Sequence, residues 1–246
     1  MSNLPHLIVS DIHLGAVPDS TERAFRRFLE HAATHASALL INGDLFDFWF
    51  EYRSVVPKQH YRVLAALREV VESGVPISFV GGNHDAWGGA FLRDEVGLTL
   101  LQGEVEIEIG GLRALVVHGD GVGVGDRGYR ALRWFIRHPF IVGSFRALHP
   151  DLGAWIAGYV TTTDEKAAGM DAVQSRSRFI RDWAVERLIA RPELDLIVAG
   201  HAHFPELIEV EEGRFYANAG DWIHNFTYLS LPGGGAPPQL LNWPRD

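Results

Sequence analysis

The chain of 246 residues contains no cysteine. That absence excludes a disulfide framework and any thiolate metal site, so a bound metal must be held by nitrogen and oxygen. Long apolar runs are also missing. The longest span about five to eight residues, far below the roughly 20 needed to cross a bilayer. The segment Met1 to Ser10 has no basic stretch followed by an apolar core and a cleavage site, so a cytoplasmic protein is expected. A basic excess is lacking as well. Lys and Arg number 22 against 31 Asp and Glu, a net charge of -9, which argues against nucleic-acid binding through a basic face. No low-complexity or Pro-rich stretch marks a linker, and a 47% hydrophobic content suffices for one core. A single domain over residues 1–246 is expected.

What is present is an alternation of short apolar runs with helix-length amphipathic segments. The runs are Leu7–Val9, Ala38–Ile41, Ile77–Val80, Ala114–Val117 and Leu194–Ala199, each of strand length and bounded by polar residues. Between them, Asp19 to about Thr34 reads as a helix with Asp19 and Glu22 spaced as a capping box, and Lys58 to about Ser73 as a helix closed by Gly74. Such alternation predicts a layered α/β fold. Gly110-Gly111 between two alternating runs predicts a hairpin over 103–117, and Phe204 to Trp243 reads as short strands. A second, strand-rich sheet beside the first accounts for both. Residues 127 to about 190 lack a strand-like run and read as a helical insertion over one end of the sheets.

Five polar clusters follow the five runs: Asp11-Ile-His13, Gly43-Asp44, Gly82-Asn83-His84-Asp85, His118-Gly-Asp120 and Gly200-His-Ala-His203. A single Asp or His at a strand end is usually a turn or cap residue. Five at once point to one site, because the carboxyl ends of the strands of an open α/β sheet form a common crevice. Asp-x-His and His-x-His place two side chains on one side of an extended segment. Asp11, His13, Asp44, Asn83, His118, His201 and His203 together offer too many ligands for one tetrahedral ion. They suit two divalent ions sharing a carboxylate, roughly 3.5–4 Å apart. Imidazole, carboxylate and amide oxygen fit Mn²⁺, Fe²⁺, Zn²⁺ or Mg²⁺, and Mn²⁺ is the expectation.

The ordered set DIH, GDLFD, GGNHD, HGD and GHAH resembles the calcineurin-like metallophosphoesterase superfamily. The resemblance implies a four-layer α-β-β-α sandwich with a helical cap. It also implies that Asp11, His13, Asp44 and His203 hold one metal, and that Asp44, Asn83, His118 and His201 hold the other, with Asp44 as the bridge and a catalytic residue. The chemistry implied is phosphoester hydrolysis, in which the ions activate a water and neutralise phosphate charge. His84 is then the candidate general acid or phosphate stabiliser, with Asp47 or Asp85 able to orient its ring.

Within the superfamily, GDLFDFW, HGD followed by DRGY, and the helical insertion resemble the UDP-2,3-diacylglucosamine pyrophosphohydrolases of lipid A synthesis. Those enzymes cleave a nucleotide-linked lipid diphosphate to UMP and an acylated sugar 1-phosphate, with Mn²⁺, on the membrane surface. By that resemblance Asn83, His84, Asp126 and Tyr129 face the substrate. Arg127, Arg176 and Arg178 are candidate phosphate contacts on charge and location. The insertion suits a lipid ligand. Residues 127–150 carry Arg127, Arg130, Arg133, Arg137 and Arg146 and no acidic residue, leaving 17 basic against 31 acidic residues elsewhere. Apolar side chains from Trp134 to Leu148 are interleaved with them, a pattern suited to peripheral contact with an anionic inner-membrane surface. Two positions depart from the pyrophosphohydrolase pattern. His84 stands where its best-known members carry Arg, and His201-Ala-His203-Phe-Pro205 replaces a sequence with Thr between the histidines and Arg-Pro after them. A histidine acid helps most with an alkoxide leaving group, so a soluble metallophosphodiesterase or phosphatase acting on nucleotides or sugar phosphates is the alternative.

Overall fold

The computed structural model of the chain describes residues 4–85, 87–122, 138–153, 155–156 and 170–245. In chain order the strands are β1 (His6–Val9), β2 (Ala38–Asn42), β3 (Ile77–Val80), β4 (Thr99–Leu101), β5 (Val105–Ile109), β6 (Leu112–Val116), β7 (Leu196–Ala199), β8 (Glu206–Glu211), β9 (Arg214–Asn218), β10 (Thr227–Leu231) and β11 (Gln239–Asn242). The α-helices are α1 (Asp19–His35), α2 (Tyr61–Glu72), α3 (Pro139–Arg146) and α4 (Met170–Ala190). Among the described residues no helix is long and apolar enough to cross a membrane.

Two sheets form, ordered β11-β10-β1-β2-β3-β4 and β5-β6-β7-β9-β8. The alternation of side chains along each strand sets the layers. Ile8, Leu40 and Val80 of the first sheet meet Ala114, Val116, Leu196 and Val198 of the second in one buried cluster. Their neighbours Leu7, Val9, Leu39, Ile41, Ile77 and Phe79 point the other way, onto α1 and α2. On the far face of the second sheet, Leu115, Val117, Ile197 and Ala199 pack against Ile180, Ala184 and Leu188 of α4. The stack is therefore helix, sheet, sheet, helix, the expected four layers.

The first helical layer follows from spacing. Thr21, Ala24, Phe25, Phe28, Leu29 and Ala32 are the buried residues of α1, a stripe at steps of three and four. The Phe28 ring lies 5.2 Å from those of Trp222 and Tyr228 and 5.4 Å from that of Trp243. Burying a side chain of this kind contributes about 1.5–3 kcal/mol. The capping box does not form. The N-cap is Pro18, with no side-chain cap bond; Asp19 and Glu22 sit inside the first turn, where their charge complements the helix dipole. The turn closing α2 behaves as expected, with Gly74 at φ 93°.

Three arrangements differ from the sequence-based picture. The five strands that carry the polar clusters do not share a sheet: β1, β2 and β3 are parallel neighbours in one, while β6 and β7 are parallel neighbours in the other. Of the C-terminal strands, β8 and β9 extend the second sheet, but β10 and β11 extend the first through the antiparallel β1·β10 pair. Finally, α4 lies in the connection between the parallel β6 and β7, so the region expected as an insertion from about 127 to 190 includes, in α4, the outer layer of the second sheet. In α3, Phe145 meets Phe48, Phe50 and Trp87, at ring centroids of 5.9, 4.6 and 5.2 Å, on the loops that follow β2 and β3.

Candidate metal centre

Backbone hydrogen bonds bring the strand ends together. Past β1 the chain pairs with the segment past β2: Asp11 N–H donates to Gly43 O at 3.1 Å, His13 N–H to Asp44 O at 3.0 Å and Leu14 N–H to Leu45 O at 3.0 Å. Asp85 fastens the β3 loop to the same segment, its carboxylate accepting from Gly82 N at 2.8 Å and Leu45 N at 2.7 Å. Burial pushes the Asp85 carboxyl up to about 6. Asp85 is therefore spent on backbone donors, and it does not orient His84. The two sheets are tied by Asn42, whose Nδ2 donates to Val117 O at 2.8 Å and whose carbonyl faces His118 Nδ1 at 2.9 Å. A carbonyl only accepts, so His118 Nδ1 carries a proton and Nε2 faces the cluster.

Asp11, His13, Asp44, His201 and His203 have φ of 55, 52, 50, 62 and 55°. These are left-handed conformations, so Asp-x-His and His-x-His converge through tight turns past the strand ends and not by strand alternation. The strain of such residues concentrates at functional sites, and five of the six non-glycine cases among the described residues are predicted ligands.

The side chains gather in overlapping groups. Ligand atoms of Asp11, His13 and His203, of Asp44, His118 and His201, and of His13, Asp44 and His84 lie within 4.8 Å of one another in each group. Asp44 Oδ2 is 3.1 Å from His118 Nε2 and 3.8 Å from His13 Nε2. Asn83 Oδ1 is 3.3 Å from His118 Nε2. All seven predicted ligands are thus brought together. Among the described residues, the basic groups within 4 Å of the buried Asp11 and Asp44 carboxylates are histidines. Burial pushes Asp11 up to about 7 and His203 down to about 3. Burial also lowers His201, with the neighbouring charges of His118 and Arg176 adding to it. Both rings are thereby kept in the neutral form that binds metals. A nitrogen and oxygen donor set, strained backbone at the donors and two buried carboxylates whose nearby basic groups among the described residues are imidazoles fit two divalent cations.

His84 sits at the edge of this cluster. Its Nδ1 faces the backbone carbonyl of Asp47 at 2.7 Å, so the residue foreseen as its orienter acts first through its main chain; the Asp47 carboxylate is 3.7 Å away. The His84 ring stands edge-on to His13 at 4.7 Å. Arg176 reaches the site, its Nη1 donating to His201 O at 3.4 Å. Arg178 does not accompany it. Two residues on, about 200° around the helix, it is exposed against Gln174 Oε1. Asp126, Arg127 and Tyr129 lie outside the described residues, as do Arg130, Arg133 and Arg137. His224, unassigned from sequence, is exposed, whereas Asp221 three residues earlier is buried beside His203. Nothing in Asp221-Trp-Ile-His distinguishes it from an ordinary turn, so its place at the site was not foreseeable.

A family model described as calcineurin-like phosphoesterase matches residues 4–205. A UDP-2,3-diacylglucosamine hydrolase from Escherichia coli O6:H1 is 34% identical over 222 residues, covering 88% of this chain and 90% of that protein. A protein of the same description from Porphyromonas gingivalis is 29% identical over 242 residues, covering 91% of this chain and 92% of its own length.

Proposed function

The chain belongs to the calcineurin-like phosphoesterase family of metal-dependent hydrolases, and from that premise we propose that it cleaves the diphosphate of a UDP-linked diacylated glucosamine, releasing UMP and the acylated sugar 1-phosphate. The observation that carries the chemistry is the pair of buried ligand groups, Asp11, His13, His203 and Asp44, His118, His201. The likeness in near full length to UDP-2,3-diacylglucosamine hydrolases supports the substrate. Asp11, His13, Asp44 and His203 would hold one ion and Asp44, Asn83, His118 and His201 the second, Mn²⁺ being the expected metal. Bound divalent ions supply charge neutralisation at phosphate oxygens and lower the pKa of water. The protein's own groups do the positioning. The Asp47 carbonyl accepts a hydrogen bond from His84 Nδ1–H, leaving Nε2 toward the cluster for a phosphate oxygen. Arg176, held at His201 O, adds positive charge beside it. The aromatic shelf of Phe48, Phe50 and Trp87 under Phe145 offers an apolar wall to an acyl chain. Phe140 and Trp155, 73% and 69% exposed, support peripheral contact with a membrane surface.

His84 also favours a second reading, hydrolysis of ordinary phosphodiesters, because an imidazolium acid aids a poor leaving group far more than it aids a phosphate. One assay separates the two. UMP release from the lipid nucleotide is expected, with His84→Gln slowing it by under about tenfold. The same substitution is expected to slow an alkyl phosphodiester by about 10²-fold or more. Absence of UMP with intact phosphodiesterase activity would leave the second reading alone.

A further inference from the structure

We propose that Asp221 is a positioning residue that fixes the orientation of the His203 ring and thereby sets the metal affinity of the group His203 forms with Asp11 and His13; this rests on the two-metal reading above. Asp221 lies beyond residue 205, where the family match ends. It is 1% exposed, a charged group withdrawn from water that must answer to its neighbours. Its Oδ1 accepts the backbone N–H groups of Ile223, His224 and Asn225 at 2.9, 2.7 and 3.0 Å. Its Oδ2 accepts from Asn225 Nδ2 at 3.1 Å. The same Nδ2 donates to His203 O at 3.1 Å, and Trp222 N–H donates to Asp11 O at 3.0 Å. The 221–225 loop is thus bolted to two residues of one ligand group.

The His203 ring completes the arrangement. Its Nε2 faces Asp11 Oδ1 at 3.5 Å, while Nδ1 faces Asp221 Oδ2 at 3.7 Å. It stacks on the His13 ring at 4.9 Å and 28°. An imidazole so placed serves as a ligand in one tautomer only, with the proton on Nδ1 and the lone pair on Nε2 directed inward. A carboxylate behind the outer nitrogen fixes that tautomer and raises the ring's basicity as a ligand. Closing the Nδ1···Oδ2 separation by less than about an ångström gives an ordinary N–H···O bond. The three backbone donors share a single oxygen that Asn also offers, whereas the second oxygen, which faces Asn225 Nδ2 and His203 Nδ1, is an acceptor that Asp alone of the two supplies.

Asp221→Asn keeps the capping oxygen but replaces the Oδ2 acceptor that faces His203 Nδ1 and Asn225 Nδ2 with an amide donor. Calorimetric titration of the full-length chain with Mn²⁺ is expected to show one ion bound about 10- to 100-fold more weakly and the other unchanged, with activity lost at limiting Mn²⁺ and restored by excess. A purely structural role would lower the melting temperature without that rescue. Nitrogen-15 NMR of the wild-type chain with Zn²⁺ is expected to show His203 protonated on Nδ1, the nitrogen that faces Asp221, a readout independent of whether the variant folds. Unchanged affinity for both ions in Asp221→Asn, or an Nε2 proton on His203, overturns the proposal. A wild-type chain that binds no divalent ion overturns the two-metal reading and this proposal with it.

Discussion

Asp44→Asn is expected to lower kcat/KM by at least about 10³-fold, about 4 kcal/mol of barrier, while the chain remains folded. Asp44 Oδ2 lies 3.1 Å from His118 Nε2 and 3.8 Å from His13 Nε2, and Oδ1 accepts the backbone N–H of His84 at 3.0 Å. One carboxylate therefore joins both ligand groups and the loop that carries His84. Burial opposes its charge, but the surrounding histidines, His118 foremost, outweigh burial and hold the carboxyl well below the ordinary range. Asn retains an oxygen for the His84 N–H and loses the anion that two cations would share. The fold is expected to survive with a lowered melting temperature, because Asn keeps the contact to the His84 N–H while His118 loses the anion that faces it. Steady-state rates and a thermal melt on the same sample check both halves; a rate within tenfold of wild type would remove Asp44 from the centre of the mechanism.

Gly82→Ala is expected to cost about 10²-fold or more in activity, about 2.7 kcal/mol of barrier, although it adds a single methyl group and removes no functional atom. A Cβ at position 82 would stand 2.1 Å from Asp44 Oδ1 and 2.7 Å from Asp44 N. Both are far inside contact distance, and neither is the loose end of a flexible chain. The methyl must displace Asp44, and ångström-scale misplacement of a catalytic group is expensive. Gly43 is constrained likewise: its Cβ would lie 2.2 Å from His118 Nδ1, and its φ is 84°. Gly43 and Gly82 thus leave the room in which the side chains of His118 and Asp44 sit. A Gly82→Ala enzyme with wild-type rate and unaltered metal binding would show that the centre tolerates movement of Asp44.

The strands were legible because parallel strands buried on both faces appear as unbroken apolar runs, as Leu7–Val9 and Leu196–Ala199 do. The same property hid their partition between two sheets, since an unbroken run does not say which face meets a helix and which meets another strand. The candidate ligands were legible because each is a polar residue shortly after such a run. Their geometry was not, because left-handed φ at Asp11 or His203 leaves no mark on residue type. The capping box failed by one position: Pro18 holds the N-cap, and Asp19 already lies within the helix. Arg176 and Arg178 were indistinguishable by charge and proximity in sequence; only the phase of α4 separates them. Asp221 was missed because its role depends on a contact with His203 across the loop.

Counting bound metal tests the two-ion centre most directly. The full-length chain, equilibrated with Mn²⁺ and then freed of excess, is expected to retain two ions per chain, to lose phosphoester hydrolysis when they are chelated and to regain it on their return, with Asp44→Asn retaining fewer. A chain that hydrolyses phosphoesters at full rate with one ion or none bound would contradict the two-ion centre.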